Sequence, residues 1–338
     1  MIVLVNGIGN IGTTLLNLLI DYKETLGIKI IYALKNTAIH KWNQSEIKIL
    51  EKKGIVICTN NNKDEFINFS DIKDEIQYIF DCNANSFGLK NKEWYKSLPN
   101  LIGCSAQGSE KGFGIPHMAG LNDDLILNKK FVQIVSCNTH SLAAIINLFC
   151  RNNNDLVDGD FVIVRRSEDL GNHQRLVSAN VVSRHLDESL GTHHSIDVND
   201  LYKTKNIELN VQSSDITTPS QLLHTVRFNL TLSKSININD ILNKIDSETY
   251  LSKTSKFDSN IIFELGRKYS PYGRIFSHAI ILNNNLLINK NKIKGWAFIA
   301  QEGNTILSSI NAFLLQTASK HHFEAMELIK NELIYKEW

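Results

Sequence analysis

Residues 1–12 read MIVLVNGIGNIG, and this stretch decides the fold of the first half of the chain. Its apolar start predicts a short buried strand, and an amphipathic helical pattern follows to about Asp21. Between the two lies a G-x-G-x-x-G pattern, which is carried by Gly7, Gly9 and Gly12. In that context the glycines permit a tight turn and a close approach of the backbone to a pyrophosphate. The stretch therefore predicts a dinucleotide-binding unit; the alternative is a glycine turn that binds nothing.

The end of the next strand bears on which dinucleotide is bound. We predict this strand from Ile28 to Leu34, and the residues that follow it, Lys35 to Thr37, include no carboxylate. NAD sites usually have an acidic residue there, which binds the ribose 2′-hydroxyl. Lysine and small polar groups suit a 2′-phosphate better. We therefore predict NADP, or use of both NADP and NAD, unless Lys35 is only a solvated surface residue.

Further strands alternate with helical patterns up to about residue 137. They are predicted at 54–58, 76–80, 101–105 and 131–136. This alternation is typical of an α/β fold with a doubly wound, Rossmann-type parallel sheet. In such sheets ligands bind at the carboxyl ends of the strands, where this chain has small or polar residues.

A cysteine follows the last of these strands. Cys137 lies between strand 131–136 and a helical pattern that extends to about Phe149. The first N–H groups of a helix have no intrahelical partner and the dipole there is positive, so a thiolate is stabilised at this point. We predict that Cys137 is a nucleophile; the alternative is a buried, inert thiol.

The second half of the chain changes pattern. Alternating or apolar runs predict strands at 161–164, 207–211, 225–232, 276–282, 286–288 and 295–300, with a hairpin turn at 283–285. A helix is predicted at 240–245, and helical spacing runs from about 304 to 337. The pattern predicts a second α+β domain built on a mostly antiparallel sheet.

Polar clusters follow several of these runs. They are Arg165-Arg166, His193-His194, His224 and Gln301-Glu302. Paired arginines and histidines supply the donors that a phosphate or carboxylate site needs, although a surface ion pair would explain the arginines equally well. No third ligand with a known spacing accompanies the histidines, so no metal site is predicted.

Composition excludes several classes of function. The chain has 338 residues, is 43% apolar and 21% charged, and carries a net charge of +1, which fits a soluble globular protein and gives no indication of nucleic-acid binding. None of the five cysteines forms a Cys-x-x-Cys pair, so reduced thiols and a cytoplasmic location are expected. The start lacks signal-peptide features, and apolar runs are too short to predict a membrane partner.

Taken in order, these motifs resemble those of the archaeal-type (type II) glyceraldehyde-3-phosphate dehydrogenases. The resemblance covers nearly the whole chain. It rests on Asn6 to Gly12, Gln107-Gly108, Ser136-Cys137-Asn138-Thr139, Val164-Arg165-Arg166, His193-His194 with Asp197-Val198, and Gln301-Glu302.

The resemblance implies a domain organisation and a reaction. A dinucleotide-binding domain would span 1–137, with C-terminal helices from 302–338 packing back on it, and a catalytic domain would span 138–301. The substrates would be a phosphorylated aldehyde and inorganic phosphate, with NAD or NADP, in a homotetramer.

The resemblance also implies roles for individual residues. Cys137 would form a thiohemiacetal and then a thioester, with His224 as the nearby base. Nicotinamide-nucleotide contacts would come from Asn10, Ile11, Gly108, Arg165 and Gln301. Substrate contacts would come from Ser136, Asn138, His193 and His194, with Arg166 as a further candidate for the phosphate groups.

Three departures from the family lie on the substrate side. The stretch 181–191 contains no proline, Leu222 stands where a histidine is expected, and His140-Ser141 replaces small residues. Two alternatives therefore stay open: a cysteine-dependent semialdehyde or acyl-CoA reductase, and a non-catalytic NAD(P)-binding paralogue.

Overall fold

The computed structural model describes residues 1–41, 43–60, 66–108, 110–150, 155–167, 179–219 and 222–338. The chain divides into two compact units. The first comprises residues 1–135 and 306–327, and the second comprises 136–305 and 328–338. Among the described residues, no helix is both long and apolar enough to cross a membrane.

The first unit is built on a parallel sheet. In its described part eight strands pair in the order β4-β3-β2-β1-β5-β6-β8-β7, and every pairing is parallel. The strands are β1 (Ile2–Asn6), β2 (Ile30–Lys35), β3 (Val56–Thr59), β4 (Ile67–Asn68), β5 (Tyr78–Asp81), β6 (Gly103–Gln107), β7 (Ile115–His117) and β8 (Phe131–Ile134). The helices between them are α1 (Asn10–Asp21), α2 (Gln44–Lys52), α3 (Phe69–Ile72) and α4 (Phe87–Lys96). The predicted Rossmann-type sheet is confirmed.

The strand order reverses at β1, which pairs with β2 on one side and β5 on the other. The register places Asn6, the last residue of β1, beside Leu34 and Asp81. The carboxyl ends of these three strands therefore meet at the switch point, which is where ligands bind in open α/β sheets.

The second unit is built on a mixed, mostly antiparallel sheet with the order β10-β11-β9-β12-β16-β14-β13, and β15 pairs with β16. Its strands are β9 (Leu156–Arg166), β10 (Val181–Val182), β11 (Val211–Thr218), β12 (His224–Leu232), β13 (Leu251–Thr254), β14 (Ala279–Leu282), β15 (Leu287–Asn289) and β16 (Lys292–Ile299). Its helices are α5 (Cys137–Phe149), α6 (His193–Lys203), α7 (Ile238–Ser247) and α8 (Ser259–Tyr269). The predicted second sheet is confirmed.

Two helices follow β16. They are α9 (Ile306–Gln316) and α10 (His322–Leu333), and they confirm the helical spacing predicted after residue 304. Every residue of α9 is buried. In the first unit α9 packs on β6 and β8, where the Tyr78 and Phe313 rings meet edge to face at 4.9 Å and the Tyr78 hydroxyl donates to Gln316 Oε1 at 2.6 Å.

Two details of the predicted second sheet are wrong. Residues 207–210 are a loop, and the strand runs instead over Val211–Thr218. Ile207 and Leu209 are buried within that loop, so their alternation reflects burial rather than pairing. The Leu209 N–H donates to Asn199 Oδ1 at 3.2 Å, not to a neighbouring strand.

The hairpin predicted at 283–285 is also wrong. β14 pairs with β13 and β16 and so has no free edge for β15. The hairpin joins β15 to β16 instead, and Lys290 at its turn has a positive φ of 57°.

Candidate active site

The glycine loop between β1 and α1 has the geometry of a dinucleotide cradle. Gly7 has a φ of +104°, and a Cβ on Gly12 would lie 2.0 Å from the Gly7 carbonyl oxygen. A side chain is therefore disfavoured at Gly7 by the positive φ and at Gly12 by a clash with backbone atoms. Gly9 differs, because a Cβ there would meet nothing within 4 Å among the described atoms. The space over Gly9 is where a pyrophosphate would approach the backbone, so the loop fits the cofactor.

A buried polar network supports the loop at the ends of the neighbouring strands. Asn6 donates from Nδ2 to the Tyr95 hydroxyl at 2.6 Å, and that hydroxyl donates to Asp81 in a short hydrogen bond. Burial, together with the nearby Asp81 carboxylate, raises the pKa of Tyr95 well above its ordinary value, so the phenol remains a donor. Asn36 Nδ2 donates to Asn6 Oδ1 at 2.7 Å and to Asn83 Oδ1 at 2.8 Å. The network ties together the ends of β1, β2 and β5, and no sequence motif indicated it.

Four other predicted cofactor residues lie at the ends of elements in the same unit, whereas Arg165 and Gln301 belong to the second unit. Asn10 and Ile11 open α1, and Lys35 ends β2 with its Nζ donating to Thr37 Oγ1. Burial lowers the Lys35 pKa, although the nearby Glu46 opposes this. Gly108, with φ +82°, follows β6 and donates its N–H to the Ile134 carbonyl at 2.9 Å.

In the second unit, Cys137 is the first residue of α5. Ser136 is the N-cap, and its hydroxyl accepts from the Thr139 N–H at 3.3 Å. Asn304 Nδ2 donates to the carbonyls of Cys137 at 2.9 Å and His278 at 3.1 Å. Cys137 is half-buried, and its backbone is held at a capped helix start.

Two further polar residues lie on the first turn of α5. Asn138 is buried, and its Oδ1 has no hydrogen-bond partner among the described residues. His140 is fully buried with Nδ1 3.1 Å from the Ser136 carbonyl oxygen, and its ring lies 4.9 Å from that of His278. Because a carbonyl only accepts, Nδ1 of His140 carries a proton. The sequence marked His140 only as a departure, and it gave no signal for His278.

The paired histidines and one arginine meet a carboxylate that the sequence did not single out. Oδ1 of Asp215, on β11, lies 3.7 Å from Nη1 of Arg165. Oδ2 of Asp215 lies 3.2 Å from Nε2 of His194. The His193 and His194 rings are 3.9 Å apart. Burial alone would raise the Asp215 pKa, but contacts with His194, Ser183 and Arg165 outweigh it and lower that pKa to about 2. Asp215 is therefore a buried anion among cationic and imidazole groups.

A second cluster surrounds Arg166, whose guanidinium is occupied within the protein. Its Nη2 makes a short ion pair with Glu302, and its Nη1 donates to the Leu222 carbonyl at 3.0 Å. The Gln301 amide oxygen accepts from Arg166 Nε at 2.7 Å when the amide nitrogen donates to the Ile299 carbonyl. Of the arginine pair, Arg165 is thus the half-exposed member and Arg166 the buried one.

His224, the predicted base, belongs to the Arg166 cluster. Its Nδ1 accepts the Arg166 backbone N–H at 3.0 Å, and its Nε2 lies 3.1 Å from the Gln301 amide oxygen. Burial, followed by the charges of Arg166 and Arg165, lowers the His224 pKa well below its ordinary value. The residue is therefore a neutral imidazole with both ring nitrogens engaged.

Comparison with known proteins supports the motif resemblance. The chain is 25% identical over 309 residues to the glyceraldehyde-3-phosphate dehydrogenase of Saccharolobus solfataricus, which covers 86% of this chain and 84% of the relative. It is 24% identical over 285 residues to that of Saccharolobus islandicus (81% and 77%) and 23% identical over 250 residues to that of Pyrococcus furiosus (72% and 71%). No family model matches the chain. These archaeal relatives confirm the resemblance drawn from the motifs.

Proposed function

We propose that this chain, which is similar over most of its length to archaeal glyceraldehyde-3-phosphate dehydrogenases, is an NAD(P)-dependent phosphorylating aldehyde dehydrogenase of that type. The observation that carries the proposal is the half-buried Cys137 at the capped start of α5. A helix N-terminus favours the thiolate, which is the reactive form of the side chain.

The reaction would proceed by covalent catalysis. The Cys137 thiolate attacks the aldehyde carbon and forms a thiohemiacetal. When bound, the nicotinamide supplies the acceptor for the hydride that leaves this carbon, and a thioester remains on Cys137. Inorganic phosphate attacks the thioester, so the acyl phosphate leaves and the thiolate is restored. The Cys137 backbone N–H and the Asn138 amide are suited to stabilise the oxyanion of each addition.

The phosphate groups would bind at the cluster of Arg165, His193 and His194. This cluster supplies a half-exposed guanidinium and two imidazoles at the start of α6, where the helix dipole favours an anion. Arg166 is less suited to hold an anion, because Glu302 already neutralises its charge. We propose that Arg166 instead holds His224 and Gln301 in place.

Two histidines are candidates for the proton transfer from Cys137. The resemblance points to His224, but its Nδ1 accepts the Arg166 N–H and its protonated Nε2 faces the Gln301 oxygen, so a change of tautomer must precede proton uptake at Nε2. His140 lies one helical turn after Cys137, at a spacing that puts both side chains on one helix face. The pH profile of kcat in His224→Gln and His140→Gln would identify the base, which is the residue whose loss removes the acidic limb.

The cofactor would bind at the loop of Gly7, Gly9 and Gly12, with Lys35 near the ribose. A 2′-phosphate on the ribose would pair with Lys35, so we expect a preference for NADP that Lys35→Ala reduces. The KM values for NADP and NAD in the two proteins test this.

The proposed domain roles are nucleotide binding in residues 1–137 with helices of 302–338, and catalysis in 138–301. We also propose a cytoplasmic homotetramer. Light scattering on the purified protein tests the oligomeric state.

The decisive assay measures NADPH and NADH formation from glyceraldehyde 3-phosphate with and without inorganic phosphate. We expect turnover that requires phosphate and is lost in Cys137→Ala. Turnover at the full rate without phosphate, or in Cys137→Ala, would overturn the proposal.

A second candidate function keeps the cysteine but changes the substrate. The buried pairing of Arg166 with Glu302 withdraws one cation from phosphate binding, which favours a semialdehyde or an acyl-CoA thioester. The same assay with a panel of semialdehydes and CoA esters separates the two functions. Inertness toward every substrate, together with tight NADP binding, would instead indicate a non-catalytic paralogue.

A further inference from the structure

We infer that His193, His194 and Asp215 form a binding site for a divalent transition-metal ion, for which Zn²⁺ is the best match. Each residue offers one ligand atom, and the three atoms lie within 4.8 Å of one another. The sequence lacked a third ligand beside the two histidines. The fold supplies it from β11, 21 residues after His194 by the numbering.

Unsatisfied buried atoms point to a ligand at this place. Nδ1 of His194, which is 1% exposed, lacks a hydrogen-bond partner among the described residues. Its Nε2 and Oδ2 of Asp215, which is 2% exposed, face each other at 3.2 Å without the alignment of a hydrogen bond. Such atoms are costly when left unpaired. A metal ion would satisfy Oδ2 and one of the imidazole nitrogens at once.

The distance between these two groups already suits a shared ion. Nε2 of His194 lies 3.2 Å from Oδ2 of Asp215. Two ligand atoms bound tetrahedrally at about 2.0–2.1 Å from zinc are separated by about 3.3 Å. The separation therefore suits two ligands of one ion.

The neighbours of Asp215 orient its carboxylate for this role. Its Oδ1 accepts from the Ser183 hydroxyl in a short hydrogen bond and faces Arg165 Nη1 at 3.7 Å. Oδ2 is thereby turned toward His194. Fixing of a ligand by hydrogen bonds to its other atoms is usual in metal sites.

The ligand set and the charge around it define the kind of ion. Two imidazoles and one carboxylate suit zinc and related transition metals, whereas Mg²⁺ and Ca²⁺ prefer oxygen ligands. His193 is half-buried, and we expect water or an anion to take the fourth position. The α6 N-terminus and Arg165 oppose the added positive charge, so we expect micromolar rather than structural-site affinity.

Metal and phosphate would compete, because an imidazole nitrogen bound to zinc cannot donate to an anion. This consequence, unlike the site itself, rests on the proposed function. It predicts that Zn²⁺ raises the apparent KM for a phosphorylated substrate.

The test measures binding without substrate or cofactor. Chelator-treated protein, with its reactive thiols blocked by iodoacetamide, is titrated with Zn²⁺ by calorimetry and with Co²⁺ by visible absorption. We expect one ion per chain, a cobalt spectrum without thiolate charge transfer, and at least tenfold weaker binding in Asp215→Asn and His194→Gln.

The matched control is His185→Gln, which removes an exposed histidine whose Nε2 lies 3.2 Å from Ser214 Oγ, next to Asp215. This variant should bind zinc like the parent protein. Circular dichroism establishes that each variant is folded, and His193→Gln serves as an independent ligand variant if one is not. The inference is overturned if the parent protein binds no zinc up to millimolar concentration, or if the ligand variants bind it as tightly as the control. Neither result bears on the dehydrogenase assay.

Discussion

The five cysteines differ in the environment of their thiols. Burial raises the pKa of Cys58 to about 12 and that of Cys150 to about 12, and it also raises the pKa of Cys82 and that of Cys104. Only Cys137 stands at a helix N-terminus. Because the thiolate is the form that reacts, we expect Cys137 to be the reactive thiol and the other four to be inert.

Iodoacetamide at pH 7 is therefore expected to modify Cys137 first and nearly alone in the folded protein. Peptide mass spectrometry after brief labelling measures this. Protein unfolded in urea, in which all five cysteines should react alike, provides the control. Equal labelling of Cys137 and Cys104 in the folded protein would contradict the assignment.

The buried pair of Arg166 and Glu302 makes the second residue-scale prediction. Glu302→Gln leaves an uncompensated guanidinium, so we expect a loss of unfolding free energy of about 3–5 kcal/mol. Urea unfolding followed by circular dichroism measures it. The control is Glu264→Gln, because Glu264 pairs with Arg267 at the surface, where such pairs contribute about 0–1 kcal/mol. Similar losses in the two variants would contradict the prediction.

At the scale of elements, the start of α5 should matter for both stability and reactivity. Ser136→Ala removes the cap, which typically costs about 0.5–2 kcal/mol, and it loosens the backbone that carries Cys137. We expect slower alkylation of Cys137 in this variant. Asn237→Ala is the matched control, because Asn237 caps α7 through the Asp240 N–H. If both variants lose stability and neither shows slower alkylation of Cys137, the role of Ser136 is limited to folding.

The β1–α1 loop allows its binding role to be separated from its structural role. Gly9→Ala meets open space and should leave the urea midpoint unchanged, while its methyl group blocks the approach of a pyrophosphate. We expect at least tenfold weaker binding of NADPH, measured by fluorescence. Gly12→Ala should instead destabilise the fold, because its Cβ would lie 2.0 Å from the Gly7 carbonyl oxygen. Unchanged NADPH affinity in Gly9→Ala would contradict the loop's proposed role.

At the scale of the whole molecule, each unit contains a buried neutral histidine. Burial lowers the pKa of His117 in the first unit to about 4 and that of His224 in the second unit well below 6.5. In the unfolded chain both titrate near 6.5, so that state binds more protons as the pH falls. Stability should therefore decrease from about pH 7 toward pH 4, by at most about 1.4 kcal/mol per pH unit for each histidine.

Urea midpoints at pH 7.5, 6 and 5 test this acid dependence. The midpoint should fall with pH, and His224→Gln should reduce the slope. His185→Gln, which changes an exposed histidine, should not. A midpoint that is constant between pH 7.5 and 5 would show that the buried histidines gain protons as readily as the unfolded ones.

The two halves of the molecule differ in how far they could be predicted. The first sheet follows from local signals, because each strand of a doubly wound fold is followed by its own helix and glycines mark the loop. The second sheet joins segments that are distant in sequence. Where β11 starts and which strand pairs with β15 therefore depend on which strand edges are free in the folded sheet, and the local pattern does not show this. The partners of functional residues were hidden for the same reason. Asp215 and Asn304 reach their partners only through the fold, and nothing in the pattern around them distinguishes them from surface residues. Glu302 was part of a motif, but its pairing with Arg166 could not be read from the sequence.

The chain's division into units has a consequence for its synthesis. Residues 306–327 belong to the first unit, so the face of the sheet that α9 covers stays open while the ribosome makes residues 136–305. The second unit also stays incomplete until residue 338 is made. The Thr254 hydroxyl donates to the Trp338 carbonyl, and the Trp338 N–H donates to the Lys253 carbonyl. Domains usually fold in turn as they emerge, and exposed apolar surface makes unfinished ones prone to aggregate. Neither unit can therefore be completed before residues 306–338 are made, so nascent chains of this protein should depend on chaperones until then.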